Sequence, residues 1–503
     1  MGIIQRQSIL SSIITYIGYA IGALNALVLY THFLQDEQKG LIDTLQIIML
    51  TFISLGSVGV FEAVNKFLPY YRAYEKPNKN DLFSKTILYG ASGITISLII
   101  AFFLKNHFLN TFDRSGILEQ YLYLLPIFIF GFFTFNLFQA FCVGFNFIVL
   151  TSFVKDIFVR LYNTLVVGLY IFNFISFDHI IILLSLQFWL AALIYLFHLN
   201  RHKLLTFTFQ TSIVTKRLSK KIISYISYFW LATFFAALGT VVDKFALLSI
   251  KGYEQVAYFT IAEYLITFIL VPQKAIQTTM TPLISDSWRR NDKTHIKELY
   301  QRGAQNITWA GGLLYITMLV SINEIFALFP INYGVGKEVF IILGIAKMID
   351  FSTSINAQIM LYSKRYYKIE MMFSIALNLI LLPVTYLLVT KFGILGTAYA
   401  HLICYSTINF IRLIFLKRKE SISPLEGNGK LFIFLAVLIV AAISFTYSEE
   451  INYNYSYLQL IFIICLKSIL ILSFILFVIF KFKLSEDLIA FTKKTIQNFK
   501  LRL

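Results

Sequence analysis

The sequence predicts an all-α integral membrane protein of about fourteen transmembrane helices, arranged as two six-helix lobes followed by two further helices. Three observations lead there. Apolar runs of spanning length fill most of the 503 residues. The Lys and Arg residues fall almost entirely in every second connection between those runs. The longest polar connections lack strand-turn alternation and are too short for a soluble domain.

A bilayer-spanning helix needs about 20 predominantly apolar residues. In the first half such runs occur at 8–30, 40–66, 84–104, 119–145, 149–175 and 177–198. The first follows a lone Arg6, outruns a signal-peptide core and has no small-residue cleavage pattern after it, so it reads as a retained span with Asn25 as a polar break. The second carries Asp43 near its outer end, and Glu62 and Lys66 near its inner end, before Pro69. The third and fourth carry few charges, the fifth holds Lys155, Asp156 and Arg160 in its inner half, and the sixth ends at the basic connection from 198.

In the second half the runs are 222–250, 255–280, 306–329, 337–362, 367–390 and 393–416, with 430–447 and 456–480 appended. Span 7 bears Asp243 and Lys244, and span 8 bears Glu263 toward the outside and Lys274 toward the inside, before Pro282. Span 9 bears Glu324, span 10 Lys347 and Asp350 on one helical face, span 12 His401 and span 14 Lys467. The stretches 283–303 and 484–503 mix apolar and basic residues at helical spacing, which suggests short helices lying on the cytoplasmic face.

The charge pattern orients the chain. The connections 198–221 and 283–305 and the tail after Phe480 are densely basic, whereas 448–456 carries Glu449 and Glu450 and no basic residue. Basic loops stay on the cytoplasmic side, so both termini are expected there. The formal charge of +17 is then a topology signal and requires no nucleic-acid partner. Cys142, Cys404 and Cys465 lie within spans at no paired spacing, so no metal, cofactor or disulfide is implied.

A faint repeat organises the spans. Glu37-Gln38-Lys39-Gly40-Leu41 opens span 2, and Glu254-Gln255-Val256-Ala257-Tyr258 opens span 8. The reading is a lobe over 1–198, a basic linker over 199–221, a second lobe over 222–416, and spans 13 and 14 with the tail over 417–503. Lobes with an even number of spans enter the membrane alike and form parallel repeats, an arrangement used by carriers that rock two bundles about a central site.

A charge at bilayer depth is costly, so it faces a cavity or a partner. Arg160, Lys244, Lys274 and Lys347 are the candidate substrate-binding residues, because several converging cations suit a phosphate or diphosphate. Asp243, Asp350, Glu62 and Glu263 are candidates for coupling or for orienting those cations. The competing reading is an ion-pair network that locks helices together. Lys66 and Lys155 lie close enough to the inner surface to snorkel, Lys467 to meet a lipid phosphate, and His401 reads as a packing residue. A membrane glycosyltransferase or polymerase would need a catalytic constellation on a large extramembrane loop, and none is long enough.

The plan, the motif Thr240-Val-Val-Asp243-Lys244-Phe-Ala-Leu, the Glu254-Gln255-Val-Ala-Tyr258 opening, and Phe392-Gly393-Ile-Leu-Gly396-Thr-Ala398-Tyr-Ala400 carry a resemblance. So do Lys347-Met-Ile-Asp350, Asn356-Ala-Gln358 and Tyr362-Ser-Lys364. The chain resembles the polysaccharide-biosynthesis (O-antigen) flippases of the multidrug/oligosaccharidyl-lipid/polysaccharide exporter superfamily. The resemblance implies a carrier, not an enzyme, that moves an undecaprenyl-diphosphate-linked oligosaccharide (an O-antigen, capsule or exopolysaccharide unit) from the cytoplasmic to the periplasmic leaflet. It implies as partners that lipid-linked glycan, membrane lipids and a polysaccharide polymerase. Lys244, Lys274 and Lys347 would hold the diphosphate with Arg160 from the other lobe, while Asp243 and Asp350 orient them or take a coupling proton. The chain departs from the lipid II flippases of that superfamily, which bring arginines from the first two helices into the cavity. The alternative is a cation-coupled multidrug exporter of the same superfamily.

Overall fold

The computed structural model describes residues 3–75, 80–113, 116–208, 210–424, 429–448 and 450–482. Among them every regular element is helical. Ten helices are long and apolar enough to cross a membrane: within 13–33, 36–56, 82–112, 117–144, 177–201, 233–251, 253–290, 367–392, 394–420 and 457–475. The expected spans at 149–175, 306–329 and 337–362 are instead interrupted or polar-rich helices, and Ile433–Ser448 is a shorter apolar helix. The tail 484–503 lies outside the described residues. Phe102, Phe103, Leu458 and Phe462 are broadly exposed, as expected of side chains that face lipid.

The chain divides into two compact units, 1–257 and 258–503. The first begins with α1 (Ile3–Ala23), a π-helical turn (Leu24–Leu29) and α2 (Tyr30–Phe33). Then follow α3 (Asp36–Gly56), α4 (Val60–Tyr74) and α5 (Leu82–Phe112). The short α6 (Ile117–Tyr121) leads into α7 (Leu125–Gly144). After α8 (Ile148–Ser152) comes a second π turn (Phe153–Phe158), then α9 (Val159–Ile171), α10 (Phe177–Arg201) and α11 (Ile213–Lys251). Helix α12 (Tyr253–Arg290) runs on from it.

Helix α11 belongs with the first unit, because it packs on α3, α4 and α5. Its start is held by a clasp. Asp81 accepts the Ser212 backbone N–H at 3.0 Å and the Thr215 hydroxyl at 2.8 Å, and pairs with Lys85 at 2.9 Å. Thr215 also meets the Tyr71 hydroxyl at 2.6 Å, and Glu75 accepts the Val214 N–H at 2.9 Å. Ser212 caps α11 by accepting the Thr215 N–H at 3.1 Å. The helix therefore begins at Ile213, inside the basic stretch 199–221.

The opening of α3 shows why a small residue stands there. A Cβ at Gly40 would overlap the Tyr253 carbonyl at the α11–α12 turn, just before the second member of the sequence repeat. Beside it, Lys39 is buried and pairs with Asp43 one turn on at 2.6 Å. Between α3 and α4 the helix breaks at Val58 (φ 48°) and Gly59 (φ 69°).

The second unit holds most of α12, α13 (Lys293–Val320), α14 (Ile322–Ala327), a 3₁₀ turn (Ile331–Val335), α15 (Gly336–Thr353) and α16 (Asn356–Leu361). It continues through α17 (Tyr367–Phe392), α18 (Ile394–Glu420), α19 (Gly429–Ser448) and α20 (Tyr457–Phe482). Helix α18 packs on α15 and α17, while α13 packs on α15, α19 and α20. The stretch 283–303 forms the end of α12 and the start of α13, not a separate surface helix. Its apolar residues are used in packing: Ile284, Ile296 and Tyr300 are buried, and the Trp288 indole donates to the Ile359 carbonyl at 2.9 Å.

Burial acts to raise the Asp81 carboxyl, and its Ser212, Lys85 and Thr215 donors outweigh that, so its pKa lies below the ordinary carboxylate value. A lowered folded-state pKa contributes stability that is present above the unfolded value, near 4, and is lost as pH falls through the lower folded value. Thermal unfolding in detergent should show Asp81→Asn destabilised by about 1–3 kcal/mol at neutral pH. The gap from wild type should close in the acid range below about pH 4.

Candidate functional site

Each unit carries a polar cluster at the depth of its spans. In the first, α1 packs on the π turn Phe153–Phe158 and α9 packs on the π turn Leu24–Leu29. Asn25 is buried within its π turn; its amide donates to the Arg160 carbonyl at 2.8 Å and its oxygen accepts from Thr164 at 2.7 Å. The polar break expected at Asn25 is therefore a change of helical type, and π turns of this kind concentrate at functional sites. Asp156 is buried and accepts the Thr15 hydroxyl at 2.7 Å. Gly18 lets α1 approach, because a Cβ there would overlap the Asp156 backbone.

Arg160 is half-buried, with its guanidinium 4.9 Å from the Tyr19 ring centre and Nη1 buried without a hydrogen-bond partner among the described residues. Elsewhere in this unit, Asp243 is buried and Lys244 half-buried on α11, and Glu62 is half-buried in the first turn of α4. Lys66 lies over the Tyr225 ring, 3.6 Å from its centre, so a cation–π contact holds it.

In the second unit a network joins four helices. Asp350 on α15 accepts from Asn409 on α18 at 2.8 Å and from Gln273 on α12 at 3.2 Å. Asn409 in turn accepts from Arg412 at 3.3 Å. Arg412 grips Glu370 on α17 through both Nε, at 3.0 Å, and Nη2, which also reaches Ser374. Lys347, one turn before Asp350, makes no ion pair with it; its ammonium lies 4.8 Å from the Tyr405 ring centre, and Tyr405 stacks on His401 at 5.1 Å. Lys274 is exposed and Glu263 half-buried on α12.

The structure thus gathers Lys347 and Asp350 into one cluster and places Arg160 in another. Asp243, Lys244 and Glu62 lie in the first unit, Lys274 and Glu263 in the second. Glu324 and Lys467 pair with each other at 2.7 Å, a protein partner where a lipid phosphate was expected for Lys467. Cys142 and Cys404 are buried, whereas Cys465 is exposed. Sequence reading missed Glu370, Arg412, Asn409 and Gln273. A signal for the first two was present: Glu370 lies near the start of one apolar span and Arg412 near the end of the next, at matching depth.

No family model matches the chain, and no curated protein matches it. Solved structures do. Lipid II flippase MurJ, in an inward closed conformation, superposes at a TM-score of 0.69 and 15% identity, over 93% of this chain and 98% of MurJ. A multidrug resistance MATE family transporter of the MOP superfamily, inward-facing, superposes at 0.61 and 13% identity, over 80% and 94%. The Vibrio cholerae MATE transporter VcmN, in its bent form, gives 0.52 and 12%, over 87% and 99%. This chain has their fold. It is a multi-pass helical membrane protein with a transporter architecture.

The Glu370–Arg412 pair is buried, and removing one partner strands the other. Glu370→Gln or Arg412→Ala should therefore destabilise by about 3–5 kcal/mol, read as a lowered melting temperature. A Glu370→Leu/Arg412→Met double variant should recover most of that loss.

Proposed function

We propose that the protein is a flippase for an undecaprenyl-diphosphate-linked oligosaccharide. It moves an O-antigen, capsule or exopolysaccharide unit from the cytoplasmic to the periplasmic leaflet of a bacterial inner membrane by alternating access. The basic connections assign both termini to the cytoplasm. One observation carries the reading: each unit sets one basic side chain at span depth without an acidic partner among the described residues, Arg160 against Tyr19 and Lys347 against Tyr405. A cation left uncompensated there is stabilised by an anion that arrives, and a diphosphate accepts from several donors at once. Lys244 and Lys274 are assigned to the same anion, while Asp243, Asp350, Glu62 and Glu263 orient the cations or couple transport. The similarity to the lipid II flippase MurJ supports the lipid-linked class of cargo.

A cation-coupled multidrug exporter is the second reading. Asp350 and Asp156 favour it, since their described hydrogen bonds come from the neutral donors Asn409, Gln273 and Thr15. Carboxylates of that kind are suited to exchanging a proton or an alkali cation. The similarity to a multidrug resistance MATE family transporter points the same way.

Purified protein in liposomes, with a fluorescent undecaprenyl-diphosphate oligosaccharide in both leaflets, separates the two. An impermeant glycan-modifying reagent should reach the inner-leaflet pool with wild type and lose that access with Arg160→Ala/Lys347→Ala. Dye export without lipid access would establish the exporter instead. If the cargo carries two negative charges, outward movement against 100 mV, inside negative, is downhill by up to about 4.6 kcal/mol. Collapsing the potential at fixed ion gradients should therefore slow flipping; an unchanged rate would discard voltage as the driving force.

A further inference from the structure

A cavity of about 760 Å³ lies apart from both clusters, in the second unit where α14, the 450–456 segment and α20 meet. Its volume falls in the range that holds small organic ligands. Its floor is the Glu324–Lys467 pair: Oε1 of Glu324 takes the Lys467 ammonium at 2.7 Å, and Oε2 is buried with no hydrogen-bond partner among the described residues. Its rim is the segment that includes Asn452, Tyr453, Asn454 and Tyr455, with Glu450 beside it. The rim is shaped locally. Asn452 accepts the Asn454 N–H at 2.9 Å, and the Tyr453 hydroxyl reaches the Ile331 carbonyl at 3.5 Å.

The lining sets the ligand class. Two carboxylates stand against one ammonium that is already paired, so the charge disfavours a phosphate or diphosphate. Amides that donate and accept, a carboxylate oxygen able to take a hydroxyl proton, and tyrosine rings with one polar edge match a polyhydroxylated, uncharged molecule. Opposite the basic connections, this end of the unit is the outer one in the orientation proposed above.

We propose that this cavity is a carbohydrate-binding site on the periplasmic end of the second unit, taking a short neutral stretch of the cargo glycan. That assignment of the glycan rests on the flippase reading; the binding of sugar does not. Glu324 Oε2 accepts a sugar hydroxyl, Asn452 and Asn454 supply paired donor and acceptor positions, and Tyr455 covers an apolar sugar face.

The full chain in nanodiscs can be titrated with chitotriose, cellotriose, maltotriose and mannotriose, each tagged at its reducing end, by fluorescence anisotropy. At least one should bind, and Glu324→Gln should weaken it about tenfold or more. Because Glu324→Gln also disturbs an ion pair, Asn454→Trp, an exposed position that fills the rim, should abolish binding while leaving the melting temperature unchanged. Absence of binding by all four at millimolar concentration would overturn the proposal, as would binding insensitive to Asn454→Trp, or displacement by tetramethylammonium and by no sugar. Sugar binding without lipid flipping would support this site and remove the flippase reading, whereas flipping without sugar binding would remove the site alone.

Discussion

A polar group inside a bilayer has no water to turn to, so each one released from regular helix must find its partner within the protein. The two π turns are organised around that constraint. Widening the helix at Leu24–Leu29 and at Phe153–Phe158 loosens the regular ladder, and the Asn25 amide and Thr164 hydroxyl tie the first of these turns to α9, which follows the second. The same constraint explains why Asp350, Asn409, Arg412 and Glu370 form a connected network and not four isolated groups. Each polar side chain at that depth is tolerable because the next one satisfies it.

The fold makes this possible by close approach. Glycine at 18 brings α1 onto the Asp156 backbone, and glycine at 40 brings the start of α3 onto the Tyr253 carbonyl. Helices separated by lipid-like side chains would leave the polar groups too far apart to pair, so small residues and buried polar residues occur together. The exposed apolar residues of α5 and α20 mark the opposite case, faces on which lipid itself is the neighbour.

The spans were legible because a bilayer imposes a length and an apolar composition, both local properties of a chain. Interruptions left an uneven trace: Asn25 marked one, whereas Lys155 and Asp156 within Phe153–Phe158 read as charges at depth with nothing to distinguish a π turn from an α-helix, and the break at Val58 occurs at a residue that disfavours positive φ. The charges at depth were equally visible; their partners were not. Lys347 and Asp350 share a helical face yet turn to Tyr405 and to Asn409, and Lys467 found Glu324 143 residues away. Pairing across helices follows from azimuth and depth, which one sequence records only indirectly. Uncharged amides such as Gln273 and Asn409 leave still less trace.

The clasp at Asp81 has a consequence for how the chain is made. It joins groups 131 and 134 residues apart, and its donors at Ser212 and Thr215 open α11. Synthesis runs from the N-terminus, so Asp81 is already in place before its partners leave the ribosome. The turn between α4 and α5 must wait, its carboxylate ready, until α5, α7, α9 and α10 have been made. The first unit is therefore closed by a late arrival, and the order of translation becomes the order in which its helices are fastened.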